Sequence, residues 1–312
     1  MLVKVNKHTN FLNSFRITYN NLTNFKSYIR KTPKTIINTP HKTYFDSKSL
    51  KWYWREINYD MFHNEIYKDY LIVRRENLDK IQNSQSKLKS PHVELIPNSG
   101  EKSKYDSCLI WLYDGDWLEM FIQHLLEFNN FPPRNYKIVF FRAPVNPITF
   151  DSSVLERNWF NILDLPNASG FRDINKKEID VFNKEIHREI QDQYNIIGNY
   201  NNIFIGGFSQ SACMSIYSTL TYKENIGGCI AFSGFNFDFT PLDVEKKNVK
   251  FLMINGTRDE VVLLKHARNS YENMIKLGFN INYIEEPGLF HFFSKTGLGH
   301  ADKLLRHKNY NQ

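Results

Sequence analysis

From Tyr105 onward the chain alternates short apolar runs with longer, more charged stretches whose apolar residues recur at helical spacing. The runs Cys108-Leu-Ile-Trp-Leu112, Lys137-Ile-Val-Phe-Phe141, Asn202-Ile-Phe-Ile-Gly206, Gly228-Cys-Ile-Ala-Phe232, Val249-Lys-Phe-Leu-Met-Ile254 and Ile281-Asn-Tyr-Ile284 are bounded by Gly, Asn or Pro and predict six strands. Between them the spacing predicts helices over 118–128, 174–194, 210–222 and 265–277. Strands apolar on both sides and alternating with helices define an α/β class, a mostly parallel sheet covered by helices on both faces. No internal repeat interrupts the pattern. Ahead of this domain, 105–312, the texture differs. The aromatic and charged segment 50–78 predicts one or two helices, and the polar run 82–105, with Ser, Asn, Lys and Pro, predicts a linker. Residues 46–104 therefore stand as an extension, preceded by an arm over 1–45.

Ligands of such sheets bind beyond the carboxyl ends of the strands, so the residues that follow each run are the candidate chemistry. After the third run comes Gly206-Gly207-Phe208-Ser209-Gln210-Ser211-Ala212, a tight turn with a serine at its apex and a helix start behind it. A nucleophile elbow needs small residues two places either side of its serine, because the strained turn presses the helix against the strand. Gly207 meets that need, and Ser211 stands where a second glycine is usual. Serine in a glycine-rich turn is also an ordinary helix cap. The nucleophile reading therefore requires a base and a carboxylate to orient it, since a serine hydroxyl is a poor nucleophile at its own pKa. Asp259, in Gly256-Thr-Arg-Asp-Glu-Val-Val262, follows the fifth run, with Glu260 as its rival. His291 follows the sixth, with His300 as a competitor that falls where a final helix is expected. The order Ser, Asp, His along the chain is that of the α/β-hydrolase arrangement.

These segments resemble the acyl-protein thioesterase and carboxylesterase family, serine hydrolases of the α/β-hydrolase fold. The resemblance is carried by Gly-Gly-Phe-Ser-Gln at 206–210, Gly-Thr-Arg-Asp-Glu-Val-Val at 256–262 and Gly-Leu-Phe-His at 288–291. Upstream, Ala143-Pro144, Pro147-Ile-Thr149 and Trp159-Phe-Asn161 are similar to further family segments, as is Ile230-Ala-Phe-Ser-Gly234. The resemblance implies Ser209, Asp259 and His291 as nucleophile, acid and base. It implies an oxyanion hole from the backbone amides of Gln210 and Asp114, and no metal or cofactor. Its substrates would be acyl esters or thioesters: an acylated protein cysteine, a lysophospholipid or a small ester. One loop departs from the family: Tyr113-Asp114-Gly115-Asp116 is a residue shorter than the His-Gly-Leu-Gly-Asp segment of relatives. Losing one oxyanion donor costs ~3 kcal/mol of transition-state stabilisation. The altered loop keeps open a second expectation, a weakly active or inactive hydrolase fold serving as a subunit of a larger mitochondrial assembly.

Charge changes the picture at one end only. The net charge is +7, but residues 1–45 hold eight bases and no acid, which leaves 32 of the 40 bases against all 33 acids from Asp46 onward. The body is neutral, so only the arm is a candidate contact for nucleic acid. An acid-free segment rich in Lys, Arg, Ser, Thr and Asn fits a mitochondrial transit segment, with a cytoplasmic location as the alternative. The longest uncharged stretch, 193–222, carries too many Asn, Ser and Gly residues to predict a transmembrane span. Cys108, Cys213 and Cys229 are odd in number and widely spaced, which supports neither a disulfide framework nor a zinc site. Fusing residues 1–45 to a fluorescent reporter is expected to direct it to mitochondria; a diffuse cytosolic signal would favour the alternative.

Overall fold

A computed structural model describes residues 41–46, 51–59, 65–75, 92–98, 105–114, 133, 135–148, 154–161, 174 and 176–306. For the segments before residue 105, and for 145–148 and 154–156, the description is of the backbone. Residues 1–40 of the arm and the helix expected over 118–128 lie outside the described residues.

All six expected strands form, as β5 (Ser107–Tyr113), β6 (Tyr136–Arg142), β9 (Ile203–Phe208), β10 (Gly228–Phe232), β11 (Lys250–Gly256) and β12 (Ile281–Glu286). They pair in parallel in the order β6-β5-β9-β10-β11-β12. β7 (Val145–Ile148) and β8 (Val154–Arg157) make a separate antiparallel pair. The helices between strands are α1 (Lys176–Ile197), α2 (Gln210–Thr221), α3 (Leu264–Lys276) and, after β12, α4 (Lys295–Arg306).

The extension departs from its expected form. The segment expected to be helical contains β2 (Lys51–Tyr59) and β3 (Glu65–Arg75), and the expected linker contains β4 (His92–Asn98). Together with β1 (His41–Asp46) they continue the sheet as antiparallel neighbours, β4 pairing with β6 through Leu95 opposite Ile138. The physical reason lies in composition. Trp52, Tyr53, Trp54, Ile57 and Tyr59, then Ile66, Tyr67, Tyr70, Ile72 and Val73, are aromatic or β-branched residues, which lose side-chain freedom in a helix and favour strands.

Alternation along each parallel strand divides the interior into two cores. On β5, Cys108, Ile110 and Leu112 face one core with Ile179, Phe182, Ile186 and Ile190 of α1, the apolar residues of α2, and Ala267, Tyr271 and Met274 of α3. Leu109, Trp111 and Tyr113 face the other with Leu298, Ala301 and Leu305 of α4. Because both faces are covered, β5 is buried along its whole length.

α2 is buried from Ser211 to Leu220, which explains the long uncharged stretch. Its hydroxyls are satisfied inside the helix and against α1: Ser215 Oγ donates to Ser211 O at 2.8 Å, Thr219 Oγ1 to Ser215 O at 2.8 Å, and Ser218 Oγ to Asn183 Oδ1 at 2.6 Å. Among the described residues no helix is long and apolar enough to cross a membrane. Tyr271, fully buried, anchors α3 by donating its hydroxyl to Gly234 O at 2.7 Å. Tyr271→Phe leaves that carbonyl without this donor, and its unfolding free energy in urea is expected to fall by about 1 kcal/mol.

Candidate active site

Chain order reverses between β5 and β9, so a crevice opens at the carboxyl ends of these two neighbouring strands. β9 runs into this crevice and turns at Ser209 directly into α2. Ser209 takes φ 58° and ψ −123°, a conformation that residues with a Cβ avoid. Gly207 makes the turn possible: a Cβ there would lie 2.6 Å from the backbone C and O atoms of Ser211. The Ser209 hydroxyl does not cap its own helix. It lies 3.0 Å from Nε2 of His291.

His291 comes from the loop after β12 and Asp259 from the loop after β11. Backbone bonds from Arg258 N to Leu289 O at 2.9 Å and from Thr257 N to Glu286 O at 3.0 Å hold these loops together. Gly256 permits the approach, since a Cβ there would stand 2.1 Å from Leu289 O. The two carboxylate oxygens of Asp259 lie 3.0 and 2.9 Å from Nδ1 of His291. Its Oδ1 also accepts the amides of Val261 at 2.9 Å and Val262 at 2.8 Å, and the side chain has no exposed surface. A carboxylate only accepts, so the imidazole proton sits on Nδ1 and Nε2 is left to accept the Ser209 hydroxyl proton. Phe208 packs its ring 4.7 Å from the imidazole, with Phe293 buried behind and Phe290 and Phe292 exposed at the rim. The Arg258 guanidinium sits over Phe290 at 4.5 Å.

The structure thus gathers Ser209, Asp259 and His291. Of their rivals, Glu260 is exposed and His300 lies within α4. Gln210 opens α2, where the positive end of the helix dipole lies. Asp114 directly follows β5. β5 pairs with β9 from Cys108 opposite Ile203 to Trp111 opposite Gly206. Gly115 and Asp116 of the same loop lie outside the described residues.

Two features escaped the sequence reading. One is the Asp114 carboxyl, considered there for its amide alone. Burial raises its pKa from the ordinary 3.8 to about 6, against smaller opposing contributions from hydrogen bonds with the Ser211 hydroxyl and backbone and from the charge of His291. The other is the anchoring of Trp159, whose indole Nε1 donates to Ser211 Oγ at 2.8 Å. Gln210 completes the anchor: its Oε1 accepts Trp159 N at 3.0 Å and its Nε2 donates to Phe160 O at 3.2 Å. The one available sign was Ser211, a hydroxyl where a second glycine is usual.

A parallel sheet covered on both faces, with a serine at a strand-to-helix turn and a histidine and an aspartate on the loops of its last two strands, defines an α/β-hydrolase. Known proteins narrow the class. The sequence profile described as phospholipase/carboxylesterase matches residues 123–309, and the chain belongs to that family. It is 26% identical over 187 residues to carboxylesterase SOBER1 of Arabidopsis thaliana, covering 58% of this chain and 81% of that protein. It is 29% identical over 228 residues to acyl-protein thioesterase 1 of Candida albicans, covering 68% and 95%. The crystal structure of Arabidopsis thaliana SOBER1 matches with a TM-score of 0.57 at 24% identity, over 65% of this chain and 98% of that one.

The raised pKa of Asp114 has a sign for stability. An acid held at about 6 in the fold and 3.8 when unfolded binds its proton more tightly in the fold, so its contribution is complete below pH 3.8 and lost as pH rises to about 6. Relative to Asp114→Asn, the unfolding free energy of the native chain is expected to fall by at most about 3 kcal/mol between pH 4 and 7. Urea titrations of both proteins at each pH measure the difference.

Proposed function

We propose that the protein is a serine hydrolase of carboxylic esters or thioesters, acting through Ser209, His291 and Asp259. The observation that carries this reading is the unbroken chain of contacts, 3.0 Å from Ser209 Oγ to His291 Nε2 and 2.9 Å from His291 Nδ1 to Asp259 Oδ2. As the hydroxyl attacks the substrate carbonyl, His291 takes its proton, and Asp259 holds the imidazole in the needed tautomer and stabilises the cation. The Gln210 amide, at the amino end of α2, donates to the developing oxyanion, with the Asp114 amide as its partner across the crevice. The alcohol or thiol departs with the proton held by His291, leaving an acyl group on Ser209. His291 then deprotonates a water that releases the acid. Each of these steps uses side chains and amides of this chain alone.

The substrate class follows from the family and from the rim. Relatives are named carboxylesterase and acyl-protein thioesterase. Phe290 and Phe292, exposed on either side of His291, offer apolar surface beside the reacting carbonyl, suited to the acyl chain of a lipidated protein, a lysophospholipid or a small ester.

The test is to incubate the purified chain with a fluorophosphonate probe and a short-chain nitrophenyl ester. Labelling and turnover are expected, with Ser209→Ala abolishing the label and lowering kcat by at least about 10⁴-fold. A chain inert to both reagents that migrates with a larger assembly would support the other reading, a hydrolase fold kept as a subunit, which the shortened loop after β5 favours.

A further inference from the structure

An amide in the first turn of a helix has no partner within that helix, so the groups around it decide whether it is free for a ligand and where it points. The peptide that joins Ser209 to Gln210 is held along its whole length. Before it, Ser209 N donates to Phe232 O at 2.9 Å. Its own carbonyl, Ser209 O, accepts the amides of Ala212 at 3.0 Å and Cys213 at 3.2 Å, which turns it into α2. The N–H of a trans peptide points opposite to the carbonyl, so that of Gln210 leaves α2 at its amino end. Among the described residues no acceptor takes it. Beyond it, the Gln210 side chain spans two residues of the segment after β8: Oε1 accepts Trp159 N at 3.0 Å and Nε2 donates to Phe160 O at 3.2 Å. We propose that the Gln210 side chain is a positioning group for the oxyanion: by gripping Trp159 and Phe160 it fixes the backbone amide that the same residue presents to the tetrahedral intermediate. This rests on Ser209 being the nucleophile.

Three observations support the assignment. First, the grip is on rigid structure. Trp159 and Phe160 are each 1% exposed. The Trp159 ring stacks with Phe141 of β6 at 6.1 Å, Phe160 meets Phe237 edge-on at 5.4 Å, and Asn158 N donates to Pro144 O at 3.1 Å. Second, the grip has one orientation. It uses the acceptor and a donor of the side-chain amide on a backbone donor and acceptor, and a half-turn of that amide would set N–H against N–H and oxygen against oxygen. Third, Trp159 also donates its indole Nε1 to Ser211 Oγ at 2.8 Å. The segment therefore holds two consecutive residues of α2, and the first turn cannot rotate about the helix axis without breaking bonds at both. Such fixation bears on rate, because an oxyanion donor acts by standing in place before charge develops.

The experiment compares the full-length native chain with Gln210→Met, Gln210→Ala and Ser209→Ala on a nitrophenyl ester from pH 5 to 8.5. Active sites are counted by fluorophosphonate labelling taken to completion, and phenylboronic acid, whose boron takes the Ser209 oxygen to form a tetrahedral anion, serves as inhibitor. Gln210→Met keeps the length of the side chain and removes both hydrogen bonds. It is expected to lower kcat per labelled site by about tenfold to a hundredfold with KM within about threefold, since the donor shifts while the binding surface stays. Boronate affinity is expected to fall by the same factor as kcat, because both report the tetrahedral state. Gln210→Ala changes kcat and boronate affinity in the same sense. The limbs of the pH profile stay where they are, since no titrating group is added or removed.

A role in structural support alone has a different signature: fewer labelled sites, each with the native kcat and the native boronate affinity. That result, or an unimpaired Gln210→Met, would overturn the role given to the side chain while leaving the proposed function intact. A native chain without Ser209-dependent turnover would overturn the function itself, and the role of Gln210 with it. Expressing kcat per labelled site keeps partly unfolded protein from counting as lost catalysis.

Discussion

The strained backbone of Ser209 is the constraint on which the rest of the structure depends. Holding a residue with a Cβ at φ 58° and ψ −123° costs of order 1–3 kcal/mol, and nothing local to Ser209 offsets it. The offset comes from both sides of the turn. Ser209 N donates to Phe232 O at 2.9 Å on the next strand, and Ser209 O accepts Ala212 N at 3.0 Å and Cys213 N at 3.2 Å as α2 begins. Behind them α2 is buried through ten consecutive residues, so relaxing the turn would displace a helix that the core surrounds. The strain thus persists because a buried helix and a central strand over-determine it, and its result is a hydroxyl thrust out of the sheet toward the loops of β11 and β12.

Those loops show a different way of fixing geometry. Asp259 and His291 sit on irregular backbone, where rigidity has to be built bond by bond. Gly256 lets the β11 loop lie against Leu289, Gly288 N donates to Thr257 Oγ1 at 2.8 Å, and two amides seize one oxygen of Asp259. Each bond contributes about 1 kcal/mol net, too little to order a loop alone. Their number and their convergence on one carboxylate give the imidazole a single orientation. Phe208 closes the arrangement from the side, its ring against His291 and its backbone at the end of β9, so that nucleophile and base share one support.

How much of this could be read from the chain follows from how far each signal reaches. The apolar runs at 108–112 and 228–232 are complete statements of a buried strand, because such a strand needs only its own five residues to be apolar. Ser209, Asp259 and His291 were found because each follows such a run and the sheet topology then brings strand ends together. The extension failed at the same level. Residues 51–59 mix Trp, Tyr and Ile with Lys, Arg and Glu, and an edge-side antiparallel strand of that kind is recognised by its partners, as in Trp52 opposite Ile72, more than by its own pattern. The bond of Trp159 to Ser211 was out of reach altogether, since it joins residues 52 positions apart that obey no period.

A hydroxyl placed at 211, where a glycine is usual, sits at a buried point where α2 closes on Gly207, and a buried hydroxyl without partners costs roughly 1–3 kcal/mol. Ser211 is tolerable there because its oxygen accepts the indole N–H of Trp159 at 2.8 Å. Burial acts at the end of β5 as well, where it raises the pKa of the Asp114 carboxyl to about 6. The hydroxyl behind the nucleophile is thus held from outside α2, and Trp159 ties the segment after β8 to the start of that helix.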